Sequence, residues 1–215
     1  MGQKLLKDIK AVGFDVDGTL YKSTVEMSEW IGRAIIVQGA KRMGREQTDF
    51  EEEFLTRKET LRGSTSTLNA MGLNGEEIFA WIWDNIPLSQ FVKKDEKLRD
   101  MLLELREKYR LYLLTNGSRE KVLPKLEIMG VDPSWFELKV YCYDEGWVKP
   151  EPAPFLFVVE TMGLDPEEVA YVGDRVDVDV EAASAIGMRT ILVGGESELA
   201  TVSCPTIYDV AKILR

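Results

Sequence analysis

The sequence predicts an α/β fold, a doubly wound parallel sheet interrupted by an all-helical insertion. Three observations point to it. Short, continuous, often β-branched apolar runs recur along the 215 residues, as in strands of a parallel sheet covered on both faces. Between them lie segments of helical periodicity. One interval between runs is about 90 residues long, whereas a parallel crossover needs only about a dozen.

The first run, IKAVGF at 9–14, stops at Asp15, and Asp17-Gly18 reads as the turn that follows. The others are RLYLLT at 110–115, ELKVYCY at 137–143, EVAYVG at 168–173 and RTILVG at 189–194. Leu98, Met101, Leu102, Leu105 and Tyr109 share one helical face. Ser118 is placed to cap a helix that stops at Gly130. Helices are also predicted over 153–163, over 177–187 and near the end, in TIYDVAKIL. Alternation of strand and helix gives the α/β class.

A helix at 95–109 supplies the first crossover by itself, so residues 21–93 are surplus. Met27, Trp30, Ile31, Ala34 and Ile35 share a helical face, and FEEEFLTRKETL and EEIFAWIWDNI repeat the pattern. Residues 21–93 are therefore expected to be a separate helical domain, with 1–20 and 94–215 forming the α/β core.

Composition narrows the function classes. Lys plus Arg number 27 and Asp plus Glu 37, a net charge of −10, which disfavours a nucleic-acid partner. No apolar run approaches the ~18–20 residues of a membrane span, and no secretory pattern opens the chain. A cytoplasmic protein is expected, with Cys142 and Cys204 reduced and structural. There is no histidine, so Ser-His-Asp and Cys-His catalysis and histidine-ligated zinc are out. Asn and Gln number four each and charged residues make up 30%, a lean toward a thermophilic source.

Four motifs carry the chemistry. In FDVDGTL, Asp15 and Asp17 stand two apart at the end of a buried strand, where open α/β sheets bind ligands. One carboxylate can be a nucleophile and the other can handle protons, while Gly18 permits a tight turn with N–H groups toward an anion. A half EF-hand fails here: Glu26 falls at position 12, but position 6 is Leu20 rather than glycine. LLTNGS sets Thr115 and Asn116 before a helix N-terminus, which suits phosphate oxygens or serves as an ordinary cap. VKPEP holds Lys149 in a stiff loop before a helix, where an ammonium can meet a phosphoryl group. VGDRVDVD puts Asp174, Asp177 and Asp179 after another buried strand. Acids there either favour the helix N-terminus or, as Asp174 with Asp15, hold a hard cation.

Taken together and in this order, the four motifs resemble those of the haloacid dehalogenase superfamily: DxDGT, a Thr/Ser after the second strand, a Lys, and GDxxxD or GDxxxxD. The resemblance covers the chain apart from 21–93, and that insertion is similar to the superfamily's helical cap. It implies a Rossmann-like core and an Mg²⁺-dependent phosphatase of a small phosphorylated metabolite, acting through an aspartyl-phosphate. By the same resemblance Asp15 is the nucleophile and Asp17 the acid and then the base. Thr115 and Lys149, with Asn116 and backbone N–H groups around Gly18, clamp the phosphoryl group. Asp15, the carbonyl of Asp17 and Asp174 hold Mg²⁺, and Asp179 supports the site. Asp177 is an additional acid, and Arg175 occupies a place often held by a small residue.

The alternatives are a phosphomutase similar to β-phosphoglucomutases, to which Arg62-Gly63-Ser64 is loosely similar, and a 2-haloacid dehalogenase, against which Asp17 and Asp174 argue. A receiver domain would be smaller and lack the insertion. Trp30, Trp81 and Trp83 are expected to be core more than pocket, and Arg33, Lys41, Arg42, Arg45, Arg57, Lys58 and Arg62 to be mostly solvated. Residues 21–93 carry 9 basic and 11 acidic side chains, and the remainder 18 and 26. The acidity thus concentrates in the core, where a clustered set of carboxylates calls for a cation.

Overall fold

A computed structural model describes residues 6–61 and 63–214. The chain divides into two compact units. One runs to Lys22 and resumes at Val92, and the other is Ser23–Phe91.

The first unit is built on six parallel strands: β1 (Ala11–Phe14), β2 (Arg110–Thr115), β3 (Leu138–Tyr141), β4 (Val169–Gly173), β5 (Arg189–Val193) and β6 (Val202–Cys204). Their order is β3-β2-β1-β4-β5-β6. The chain winds outward from β1 in one direction and returns to start again at β4, so the sheet reverses between β1 and β4. Phe14 pairs with Leu113 of β2 on one side and Val172 of β4 on the other. The residues that follow these strands therefore emerge together at the carboxyl edge.

Alternation along the strands fills two faces. Ala11, Tyr112, Leu114, Val140, Val169 and Tyr171 form one buried cluster with Phe155, Val158 and Met162 of α8 (Pro152–Met162) and Ala182 and Ala183 of α9 (Glu181–Ala185). The alternate residues Val12, Phe14, Leu111 and Leu113 are equally buried. On that account the central strands β1 and β4 carry no charged side chain. Helix α6 (Glu96–Arg106) buries Leu98, Met101, Leu102 and Leu105 and packs on β2 and on α10 (Val210–Ile213). Its N-cap is Asp95, whose side chain accepts the Leu98 N–H at 2.9 Å. Helix α7 (Arg119–Met129) follows β2 and ends at Gly130.

Three features differ from the sequence expectation. The strand expected at 137–143 stops at Tyr141, because Cys142–Glu145 turns into a 3₁₀ segment closed by Gly146. β6 is an additional strand of three residues, too short for a hydrophobic period to show, and is fixed by pairing with β5. The helix expected over 177–187 opens as a π-helical turn, Val176–Val180, before α9.

The second unit is all helical: α1 (Val25–Met43), α2 (Gln47–Leu61), α3 (Ser64–Ala70), α4 (Gly75–Asn85) and α5 (Leu88–Phe91). Thr24 caps α1 by accepting the Met27 N–H at 3.1 Å, and a left-handed Gly44 ends it. Ile35, Phe50, Phe54, Leu68, Ile78 and Ile82 form its core, and Trp30 and Trp81 pack against it. α3, STSTLNA, escaped sequence reading because Ser and Thr compete for backbone hydrogen bonds and weaken the helical signal. Arg62 lies outside the described residues. Gly63 and Ser64 are the N-cap and first residue of α3. Both cysteines are free and buried, and burial pushes the Cys142 thiol up to about 12. Among the described residues no helix is long and apolar enough to cross a membrane.

Candidate active site

The turn after β1 brings the first two acids to the sheet reversal. The Asp15 N–H donates to Val172 O at 2.9 Å, so the pairing of β1 with β4 continues to the residue that bears the carboxylate. Gly18 closes the turn at φ 90°, and a Cβ there would lie 2.4 Å from the Asp174 carboxylate. Only glycine admits both the left-handed backbone and that approach. Thr19 donates its hydroxyl to Asp174 Oδ1 at 3.1 Å and ties the loops after β1 and β4 together.

Lys149 is the hub of the buried side of the site. It is 3% exposed, a depth at which an ammonium survives only with full pairing. Its Nζ contacts Asp15 Oδ1 at 3.0 Å, Asp179 Oδ1 at 2.7 Å and Tyr171 Oη at 2.7 Å. The Tyr171 hydroxyl in turn donates to Leu114 O at 2.6 Å, so all three ammonium protons have acceptors. Burial opposes the charge on Lys149, but Asp15 and Asp179 outweigh it and hold the ammonium above its usual range.

The π-helical turn explains how Asp179 gets there. The Val180 N–H reaches back five residues to Arg175 O at 3.3 Å, and Asp179 Oδ2 accepts the Arg175 N–H at 3.1 Å. The widened turn lays the side chain over the end of β4, where Gly173 leaves room for it: a Cβ on Gly173 would come within 2.4 Å of Asp179. Asp177 takes another course, pairing with Arg175 at 2.9 Å with both side chains about half exposed.

Carboxylate oxygens of Asp15, Asp174 and Asp179 lie within 4.8 Å of one another. Crowding shows in their proton affinities. Burial, reinforced by Asp179 and Asp17 against the pull of Lys149, pushes Asp15 up to about 7. Burial, then Asp179, raises Asp174, with Thr19 pulling the other way. Lys149 is shared between Asp15 and Asp179, so one ammonium faces three crowded carboxylates. An all-oxygen donor set of this kind suits a hard cation such as Mg²⁺.

Asp17 sits apart from this network and has a lysine of its own. Lys125 of α7 reaches both its oxygens, at 2.6 and 2.7 Å, and the Tyr21 hydroxyl donates to Oδ1. Burial and then the negative charge of Asp17 raise the Tyr21 phenol, so it stays a donor. Thr115 ends β2 and is buried, its hydroxyl accepting the Gly117 N–H at 3.4 Å.

Asn116, which the resemblance sets against the phosphate, is also tied to the Lys149 loop. Its carbonyl oxygen accepts the Lys149 N–H at 2.7 Å and its amide donates to Lys149 O at 3.1 Å. The side chain brackets the main chain of the Lys149 loop and satisfies a backbone N–H and a backbone C=O there.

Sequence reading missed Lys125, Tyr21 and Tyr171. For Lys125 a signal existed. It falls with Val122, Leu126 and Met129 on the buried face of α7, where a lone lysine has to find a carboxylate.

A family model described as haloacid dehalogenase-like hydrolase matches residues 9–187. The chain belongs to the haloacid dehalogenase-like hydrolases. This hydrolase is 31% identical over 199 residues to a glyceraldehyde 3-phosphate phosphatase of Methanopyrus kandleri, covering 86% of this chain and 84% of the relative. It is 25% identical over 192 residues to a phosphoglycolate phosphatase of Photorhabdus laumondii, covering 87% and 81%. Among solved structures it is similar to a HAD phosphatase from Thermococcus onnurineus, with TM-score 0.67, 26% identity, and coverage of 96% and 98%.

Proposed function

We propose that this haloacid dehalogenase-like hydrolase is an Mg²⁺-dependent phosphatase of a small phosphorylated metabolite, working through an aspartyl-phosphate on Asp15. The observation that carries this reading is Asp15 itself. A buried carboxylate stands at the sheet reversal with an ammonium at 3.0 Å on one side and Asp174 within cation-sharing distance on the other. The activities by which these relatives are named, on glyceraldehyde 3-phosphate and phosphoglycolate, support a short phosphate ester as substrate.

In this mechanism Asp15 attacks phosphorus, the bond to the leaving oxygen breaks with its electron pair, and Asp17 gives that oxygen a proton. Asp17 then takes a proton from the water that cleaves the acyl phosphate. Splitting hydrolysis in two lowers each barrier. Asp15, Asp174 and the carbonyl of Asp17 would hold Mg²⁺. The ion supplies positive charge that lets an anionic carboxylate approach an anionic ester. Lys149 stabilises charge on the transferring group from a fixed position, and Asn116 fixes the loop that presents it. Thr115 is assigned to the phosphoryl oxygens, and the choice of leaving group to the helical unit.

The test is phosphate release from p-nitrophenyl phosphate, glyceraldehyde 3-phosphate and phosphoglycolate with and without Mg²⁺. Asp15→Asn is expected to reduce release to background while leaving the circular dichroism spectrum unchanged. Wild-type turnover by that variant would overturn the nucleophile assignment. Isomerisation of a sugar phosphate without phosphate release would indicate a mutase instead.

A further inference from the structure

A lysine buried at 1% exposure on a helix face otherwise made of Val122, Leu126 and Met129 needs a reason to be there. Lys125 reaches Asp17, 108 residues earlier in the chain. It spans the whole carboxylate, with Oδ1 at 2.6 Å and Oδ2 at 2.7 Å. Tyr21 adds a second donor, and it goes to Oδ1 alone.

A carboxylate oxygen has two lone-pair positions in its plane. Oδ1 has both filled, by Lys125 and Tyr21, whereas Oδ2 has one filled, by Lys125. The two oxygens, equivalent in a free carboxylate, are thereby made different. The Asp17 side chain as a whole is 31% exposed.

We propose that Lys125, with Tyr21, is a positioning residue that locks the Asp17 carboxylate and makes Oδ2 the atom that carries the proton to the leaving group. This rests on the phosphatase reading and adds to it a named atom and a residue outside the four motifs. When Asp15 forms its bond to phosphorus and the ester oxygen departs with the bonding pair, the proton on Oδ2 passes to that oxygen. In the second half the attacking water returns a proton to Oδ2. Lys125 and Tyr21 keep their own protons throughout and set only where the carboxylate points.

A positioning role predicts a dependence on the leaving group that a packing role does not. General acid catalysis is worth about 10²–10⁴-fold where the leaving group needs a proton, and little where it does not. The experiment compares nitrophenyl phosphate, whose leaving group departs as an anion, with phenyl phosphate, whose leaving group needs the proton. Lys125→Met keeps the length and apolar stem of the side chain and removes its donors. It is expected to lower kcat/KM, which reports only the steps up to loss of the leaving group, at least about tenfold more on phenyl phosphate than on nitrophenyl phosphate. Added to Asp17→Asn, it is expected to slow phenyl phosphate no further, since a group acting only through Asp17 has nothing left to act on.

Equal losses on the two esters, unchanged kinetics, or full multiplication of the two losses in the double variant would each overturn the proposal. If Lys125→Met does not fold, Lys125→Gln, which keeps amide donors but loses the charge and the reach of the ammonium, answers the same comparison. Failure of the phosphatase reading has a separate mark: Asp15→Asn would then remain active whatever the Lys125 variants do.

Discussion

The two units handle charge in opposite ways. In the helical unit Glu53 joins Arg45 at 2.5 Å and Arg57 at 2.7 Å, with side chains 31% to 45% exposed. In the α/β unit Lys149 and Asp179 pair at 2.7 Å with 2% and 1% exposed, and Lys125 is 1% exposed. Water solvates the first set whether or not it pairs, so the bridges follow from a charged surface. No water solvates the second, so each ion there requires a built partner. The lesson is that burial, rather than the number of ion pairs, marks where the chain commits charge to a task.

The sharpest way to break this contrast is Lys149→Met. It leaves Asp15 and Asp179 buried without their cation and is expected to cost about 3–5 kcal/mol of stability, read from urea unfolding of the metal-free protein. A loss below about 1 kcal/mol would mean that the buried network behaves like the surface one.

Next comes the cation. At a hundred times its dissociation constant, Mg²⁺ is expected to stabilise the wild type by about 2.7 kcal/mol, seen as a rise in thermal midpoint. Asp174→Asn should abolish most of that rise. An equal rise in both proteins would remove Asp174 from the ion's ligands.

A smaller effect separates burial from membership of a unit. Tyr208 belongs to the α/β unit but is 37% exposed, and its hydroxyl donates to Asp95 Oδ2 at 2.5 Å. That hydrogen bond, with some burial, pushes the phenol up to about 12 from an ordinary 10. Between those values the folded protein keeps a proton that the unfolded chain has lost. The contribution is therefore complete below pH 10 and disappears as pH rises through about 12. Tyr208→Phe should flatten that alkaline limb of the stability profile and leave neutral pH nearly unchanged. An unaltered limb would show that the bond contributes nothing.

The smallest effect is expected from Glu53→Gln in the helical unit, where the unfolding midpoint should stay close to that of the wild type at 0.15 M salt. A large fall would show that the helical unit also depends on its ion pairs.

Much of this was legible in the sequence. β2 was readable to the residue at 110–115, because four apolar positions in a row, Leu111 to Leu114, and a following Asn-Gly are local facts. Asp15 and Asp174 stood out because each follows a buried strand, and strand ends in a parallel sheet share one edge. β6 was not legible, since three residues cannot display a period. The hold of Asn116 on the Lys149 main chain was not legible either, since that partner lies 33 residues on.

The sequence by itself determined the class of fold, the ends of β1, β2 and β4 and which acids stand at β1 and β4, since these depend on neighbours along the chain. Only the tertiary structure decided which cation serves which acid. Lys149 meets Asp15 and Asp179, and Lys125 meets Asp17 across 108 residues, because parallel crossovers bring distant segments to one edge. A buried lysine's partner is chosen by packing, and no local pattern encodes it.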